Sequence, residues 1–252
     1  MNYYENPRVA VAYLDRIAEM MEGRKEMPAV VYPPRGDEYH LSDFQGCILK
    51  PYWKRTIPLS PEKDRESYLY FLCGRIIERA IATEHPSGEL DGIHFTVDDT
   101  APDGIPAEIK STRWGSEFFD PPTRQPHWIE RIKGYCKGRN TLTYHLVVLF
   151  LHGNVGDFFP WAIKKNGGRK PTEWKNVDLR AWTFEFEQGE IDDFWQEILR
   201  RKDILAKAVE SGTPIDDAEV LARREDWECK YCEYRGRCHL AGVKEAYARA
   251  EA

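Results

Sequence analysis

Apolar residues along the chain recur at two periods, and the change from one to the other marks out the elements. From Pro7 to Arg24, Val9, Val11, Leu14, Ile17 and Met20 or Met21 repeat at helical spacing, which predicts an amphipathic helix. The proline-rich MPAVVYPPRGDEYH ends it. Ser42, after Leu41, reads as the cap of a short helix through DFQGCILKPYW, because a serine hydroxyl accepts a free N–H of a first helical turn. Over 66–83, Leu69, Leu72, Ile76, Ile77 and Ala80 define the buried side of a second amphipathic helix. The period then shortens: GIHFTVDD, a turn at TAPDG and IPAEIKST predict a β-hairpin, with Pro102 and Gly104 supplying the turn dihedrals. A helix is expected from about Trp128 to Lys137, then a buried strand in TLTYHLVVLFLHG, where β-branched and aromatic residues are dense. WAIKKNGGRKPTEWKNVDLRAWTFEFE reads as a basic loop and a further strand, and IDDFWQEILRRKDILAKAVESG as a long helix.

This order predicts an α/β fold with a central mixed sheet flanked by helices. A chain of 252 residues can bury one generous core with decorations. The expectation is therefore one domain over 1–252: an N-terminal helical segment (1–65), an α/β core (66–190), and a C-terminal helix with a cysteine-bearing tail (191–252). No run approaches the roughly 20 apolar residues of a membrane helix. The first residues lack a basic stretch followed by an apolar one. A soluble, cytoplasmic protein is expected, with no membrane partner.

A net charge of −6 has the wrong sign for a protein that simply coats nucleic acid. Contact with DNA would need local basic surface. Lys110, Arg113, Arg124, Arg131, Lys133, Lys137 and Arg139 form one such stretch, and Lys164, Lys165, Arg169, Lys170 and Lys175 a second.

The hairpin carries the chemistry. Strand alternation puts Glu108 and Lys110 of AEIK on one face and turns Ile109 into the core. Asp98 or Asp99, at the end of the preceding strand, reaches across the turn toward Glu108, giving two hard oxygen ligands for Mg²⁺ or Mn²⁺ beside one ammonium. That set suits phosphodiester hydrolysis. The carboxylates hold an ion that polarises the phosphate and acidifies a bound water, while the lysine orients that water and stabilises developing charge. The Ile109 carbonyl is a further candidate ligand.

Asp98, Glu108-Ile-Lys110, Gly74-x-x-x-Glu78 on the preceding helix and Tyr135 on the following one resemble the RecB-like PD-(D/E)XK nucleases. The resemblance implies a restriction-endonuclease-like core and a metal site built from Glu78, Asp98, Glu108 and Ile109. It also places Tyr135, with Asp98, Glu108, Lys110 and Glu78, in the catalytic set. The family often has a glutamine four residues before this tyrosine. Here Arg131 stands there, and it reads as a phosphate contact. Asp91, in GELDGI, matches a common family form but lies 17 residues before Glu108 against 10 for Asp98. The shorter turn favours Asp98, and alternation turns Asp99 to the opposite face.

Cys229-x-x-Cys232 and Cys238 set three thiols close together, and in a cytosolic chain such a cluster points to metal or redox use more than to disulfides. Zinc is one reading of the set, with His239 as a conceivable ligand. The C-x2-C-x5-C spacing, with Cys47 upstream, resembles the AddB nucleases and the CRISPR-associated exonucleases of the Cas-four family. That resemblance implies a 4Fe-4S cluster on Cys47, Cys229, Cys232 and Cys238, which would staple the N-terminal segment to the C-terminus and perform no chemistry. Cys73 and Cys136 read as buried free cysteines.

Arg113, Trp114 and Arg131 are the candidate DNA contacts, Trp114 and Trp128 flanking the basic stretch where bases could stack. For most of the tryptophans core burial is expected. No pair of histidines has metal-binding spacing, and there is no phosphate-binding Gly-x-x-x-x-Gly-Lys motif. The expected function is Mg²⁺- or Mn²⁺-dependent hydrolysis of DNA by an exonuclease acting on single-stranded ends. The expected partners serve CRISPR adaptation, recombination or replication. The alternative is a DNA-binding adaptor that keeps the fold without cutting.

Overall fold

In a computed structural model of the protein, the described residues are 1–22, 38–57, 78, 81–112, 115–116, 119–151, 178–216, 221, 228–229 and 232–240. They run β1 (Asn2–Glu5), α1 (Pro7–Met21), α2 (Ser42–Gln45), α3 (Leu49–Thr56), β2 (Ser87–Leu90), β3 (Ile93–Thr96), β4 (Asp99–Thr100) and β5 (Pro106–Thr112). There follow α4 (Pro121–Arg124), α5 (Pro126–Arg139), β6 (Thr143–Phe150), β7 (Asp178–Glu185), α6 (Gln188–Ser211) and α7 (Arg235–Leu240). Arg113, Trp114, Cys73, most of the helix expected over 66–83, and the second basic stretch with Trp161 and Trp174 lie outside the described residues.

The fold is α/β, with a mixed central sheet flanked by helices. The five-stranded sheet has the order β1-β7-β6-β5-β4; β5 and β6 are parallel and every other neighbouring pair is antiparallel. A parallel pair needs a crossover, and α5 provides it. Paired residues of a parallel ladder share a face. Glu108 opposite Leu146 and Lys110 opposite Val148 therefore project from the same side of the sheet as Tyr144 and Phe150. That side lies under α5 and α6, which bring Ile129, Ile132, Tyr135, Ile191, Trp195 and Ile198 into the larger core. On the other side Ala107, Ile109 and Val147 pack with Leu179 and Ala181 against Val9, Ala10 and Tyr13 of α1. Ile109 thus enters the core as alternation predicts.

Four local features differ from the pattern reading. Ser42 does not cap α2: the cap position is Leu41, with no side-chain bond, and the Asp43 carboxylate accepts the His40 N–H at 3.0 Å instead. The helix expected through DFQGCILKPYW is two helices, broken at Gly46, whose backbone (φ −119°, ψ −136°) is far from helical, so Cys47 sits between them. GIHFTVDD is not one strand of the hairpin. β3 pairs with β2, and only Asp99 and Thr100 continue antiparallel to β5. The chain bends at Asp98 because its carboxylate, in place of a strand carbonyl, accepts the Ile109 N–H at 2.9 Å. Lastly, β1 pairs with β7 although its residues are exposed and carry no alternation to reveal it.

Candidate active site

Glu108 is fully buried on the core-facing side of β5. Lys110, two residues on, returns its ammonium to Glu108 Oε1 at 2.5 Å, and the same Nζ donates to Asp98 Oδ2 at 3.2 Å and to the Ile109 carbonyl at 3.1 Å. Asp98, Glu108, Ile109 and Lys110 therefore meet at one point, held by the bend at Asp98. Arg131, one helical turn before Tyr135 on α5, brings Nη1 to within 3.5 Å of Glu108 Oε1, while its Nε donates to Gln45 Oε1 at 3.2 Å. Tyr135 is buried beside them, its ring stacked on Tyr144 with centroids 5.9 Å apart.

The electrostatics follow from this crowding. Burial, reinforced by Asp98, pushes the Glu108 carboxyl up to about 7. Burial alone would lower the Lys110 ammonium, but the Asp98 and Glu108 carboxylates more than offset it and the net shift is upward. Burial lifts Tyr135 well above the usual phenol value, with Glu108 the next cause and Glu78 a smaller one. Glu78 stands 3.5 Å from His85 Nδ1, and its charge is felt at Tyr135.

Glu108 Oε2 is buried with no hydrogen-bond partner among the described residues. A buried carboxylate oxygen left unpaired is costly, and it is the kind of atom a cation would satisfy. Hard oxygens from Asp98, Glu108 and the Ile109 carbonyl suit Mg²⁺ or Mn²⁺. Among the described residues no group of three or more His, Cys, Asp or Glu is set closely enough to hold a metal ion. At the hairpin, Lys110 bridges the two carboxylates and Arg131 stands beside Glu108, so an ion would have to displace cations already there.

The other two aspartates are engaged elsewhere. Asp99 faces away, fully buried: Oδ2 accepts from Tyr13 at 2.8 Å and from Arg16, and Oδ1 from the N–H and hydroxyl of Thr83 at 3.0 and 2.9 Å. Asp91 forms the turn between β2 and β3 at φ +52° and accepts the Trp195 indole N–H at 2.8 Å. His94 pairs with Glu89 at 3.5 Å.

Two residues of the site escaped the sequence reading. His127 lies one turn before Arg131, and burial, then Arg131 and Lys110, push its imidazole down to about 4. The i, i+4 spacing of His127 and Arg131 was the available signal. Gln45 comes from a different element, and nothing in its own sequence neighbourhood ties it to Arg131. Trp128 is half-buried against Phe119, with ring centroids 5.8 Å apart, and packs on the larger core. Trp53, Trp182 and Trp195 are core residues.

The cysteine-bearing segments also come together. Cys47, Cys229, Cys232 and Cys238 are free thiols, as is the buried Cys136. Burial pushes the Cys47 thiol up to about 11, with Cys229 among the neighbours that raise it further, and burial raises Cys232 too, with Cys229 a smaller cause. Cys238 Sγ accepts the Trp53 indole N–H at 3.1 Å. A Cβ added at Gly46 would collide with the Glu228 carboxylate, so the chain beside Cys47 packs closely on the chain beside Cys229. Soft donors of this kind are the type an iron–sulfur cluster or zinc takes, but among the described residues no three of them are set closely enough to hold one metal ion.

Fold and site together define an α/β protein with an acidic and basic cluster buried on the core side of a parallel strand pair. Among solved structures, that of SSO0001 is similar over 90% of this chain and 94% of its own, at 12% identity and a TM-score of 0.44. A likeness at that score defines neither family nor function. No protein-family model matches the chain, and no curated protein matches it. Among the described residues no helix is long and apolar enough to cross a membrane.

Proposed function

We propose that the protein is a metal-dependent deoxyribonuclease of the RecB-like PD-(D/E)XK class, an exonuclease acting on single-stranded ends. The observation that carries this reading is Glu108: a fully buried carboxylate with Oε2 unpartnered among the described residues, beside Asp98 and Lys110. Asp98, Glu108, the Ile109 carbonyl and Glu78 would hold Mg²⁺ or Mn²⁺. When bound, that ion supplies Lewis-acid polarisation of the phosphate and a more acidic water. Lys110 orients the attacking water and meets the charge that develops on the phosphate. Tyr135 walls the site from the core side. Arg131, a third exposed, offers its outer edge to a phosphate of the strand, and Arg113 and Trp114, outside the described residues, are the further proposed DNA contacts. Cys47, Cys229, Cys232 and Cys238 would hold a 4Fe-4S cluster as a staple. Proteins of CRISPR adaptation, recombination or replication are the proposed partners.

The test is time-resolved degradation of end-labelled single and double strands with and without Mn²⁺. Glu108→Ala and Lys110→Ala are each expected to lose on the order of 10²- to 10³-fold in rate while staying folded, the scale of removing one group that stabilises transition-state charge. Undiminished cutting by both variants would sink the assignment. A DNA-binding adaptor is the second reading, favoured by the way Lys110 and Arg131 already neutralise the carboxylates without an ion. Retention of labelled strands without cutting at any metal concentration would decide for it. For the staple, protein purified without oxygen is expected to be brown, with the colour lost in Cys232→Ser. Colourless wild type with stoichiometric zinc would decide for zinc.

A further inference from the structure

Gln45 ends α2, and its amide meets Arg131 beside Glu108. A guanidinium has only donors, so Gln45 must turn Oε1 toward Arg131 Nε and leave its NH₂ group pointing away. That Nε2 is buried with no hydrogen-bond partner among the described residues. The same guanidinium reaches Glu108 Oε1 with Nη1, but only at 3.5 Å, a contact stretched to the limit of a hydrogen bond. One cation is thus shared between a short polar anchor and a carboxylate whose other oxygen has no partner among the described residues.

The anchor itself is fixed. Arg201 of α6, fully buried, donates Nε to the Phe44 carbonyl at 2.6 Å and Nη2 to the Gly46 carbonyl, so the residues on both sides of Gln45 are held by one side chain. The backbone that carries the Gln45 side chain is therefore held in place.

We propose that Gln45 is a positioning residue of the metal site. It holds Arg131 back from a paired, two-point contact with Glu108, which keeps the carboxylate available to Mg²⁺ or Mn²⁺ and turns the exposed edge of the guanidinium outward to a phosphate. The inference rests on the reading of Glu108 as a metal ligand. Without Gln45, Arg131 closes on Glu108 and an entering ion must break a charge-assisted pair.

A double-mutant cycle on the full chain tests this, with Mn²⁺ alone as the probe and binding followed by calorimetry in the absence of DNA. Gln45→Leu is expected to weaken Mn²⁺ about fivefold, within the range in which touching residues couple. In an Arg131→Gln background the same change is expected to have no effect. Gln45→Glu, which draws the guanidinium further off, is expected to tighten Mn²⁺, an opposite sign that general loosening of the fold would not produce. On single-stranded DNA, Gln45→Leu should raise the Mn²⁺ needed for half-maximal rate. Equal weakening in both backgrounds, or no change in either, overturns the proposal. Wild type that binds Mn²⁺ yet degrades no DNA sinks the nuclease reading, and the cycle still decides the role of Gln45. Wild type that binds no Mn²⁺ sinks both.

Discussion

Asp91, Asp98 and Asp99 carry one side chain into three surroundings, and the surroundings decide what each can do. Asp99 accepts hydrogen bonds from Tyr13, Arg16, the N–H and hydroxyl of Thr83 and the Glu84 N–H, and lies fully buried. Asp99→Ala would leave Arg16 and the Tyr13 hydroxyl facing an empty space. It is expected to cost about 3–5 kcal/mol, the scale of breaking a buried ion pair, in urea unfolding. Asp98→Asn keeps an acceptor for the Ile109 N–H, so its expected effect is the reverse: near-wild-type unfolding and a large loss of Mn²⁺-dependent cutting in the strand assay. Alternation made the opposition of Asp98 and Asp99 legible in the sequence. The sequence could not show that the G-x-x-D-G pattern at Asp91 serves a left-handed turn, a conformation that aspartate tolerates well.

His145 gives the residue scale its pH dependence. It is buried, with Nδ1 3.0 Å from the Thr183 hydroxyl and Nε2 3.0 Å from Asp103 Oδ2, and Thr183 in turn accepts the Asn6 amide at 2.8 Å. Burial lowers its pKa below the ordinary 6.5, although Asp103 pulls upward. A histidine held neutral by the fold stabilises it fully above its unfolded pKa, and that contribution is lost as pH falls through the lower folded value. The urea midpoint is therefore expected to fall from about pH 7 to about pH 5 more steeply in wild type than in His145→Gln. Parallel profiles would remove His145 as the cause.

At the scale of elements, periodicity marked the longer pieces well. The helix that begins near Trp128, the strand around Leu146 and the helix ending at Ser211 all stand within a few residues of their expected places. The short pieces were hidden for identifiable reasons. β1 is too brief and too exposed to show alternation, and the division of α2 from α3 depends on Arg201, which is remote in sequence. Arg201→Met is expected to leave the Phe44 and Gly46 carbonyls unpaired in the interior and to cost about 2–4 kcal/mol, as buried acceptors without donors do. Hydrogen exchange should show the loss concentrated over residues 42–47, with β6 still protected. A uniform loss of protection would mean that Arg201 supports the fold generally and not this segment.

For the whole molecule, the sheet order was not legible. Local pattern fixes which face of a strand is buried but not its neighbours, and the register of β5 against β6 emerges only when α5 is packed. The meeting of Asp98, Glu108 and Lys110 was legible because it is local to one turn, whereas the approach of Arg131 depends on that crossover, and that of Gln45 on α2 packing against α5 and α6. The pairing of β1 with β7 carries a consequence for how the chain reaches this state. Asn2 lies opposite Glu185, so the strand synthesised first of the two must wait for nearly all of the sheet before it has a partner. Contacts so distant in sequence close slowly. Until they close, the outer edge of β7 is an open ladder able to accept a strand from another nascent chain, so crowded synthesis favours exchange of β1 between molecules.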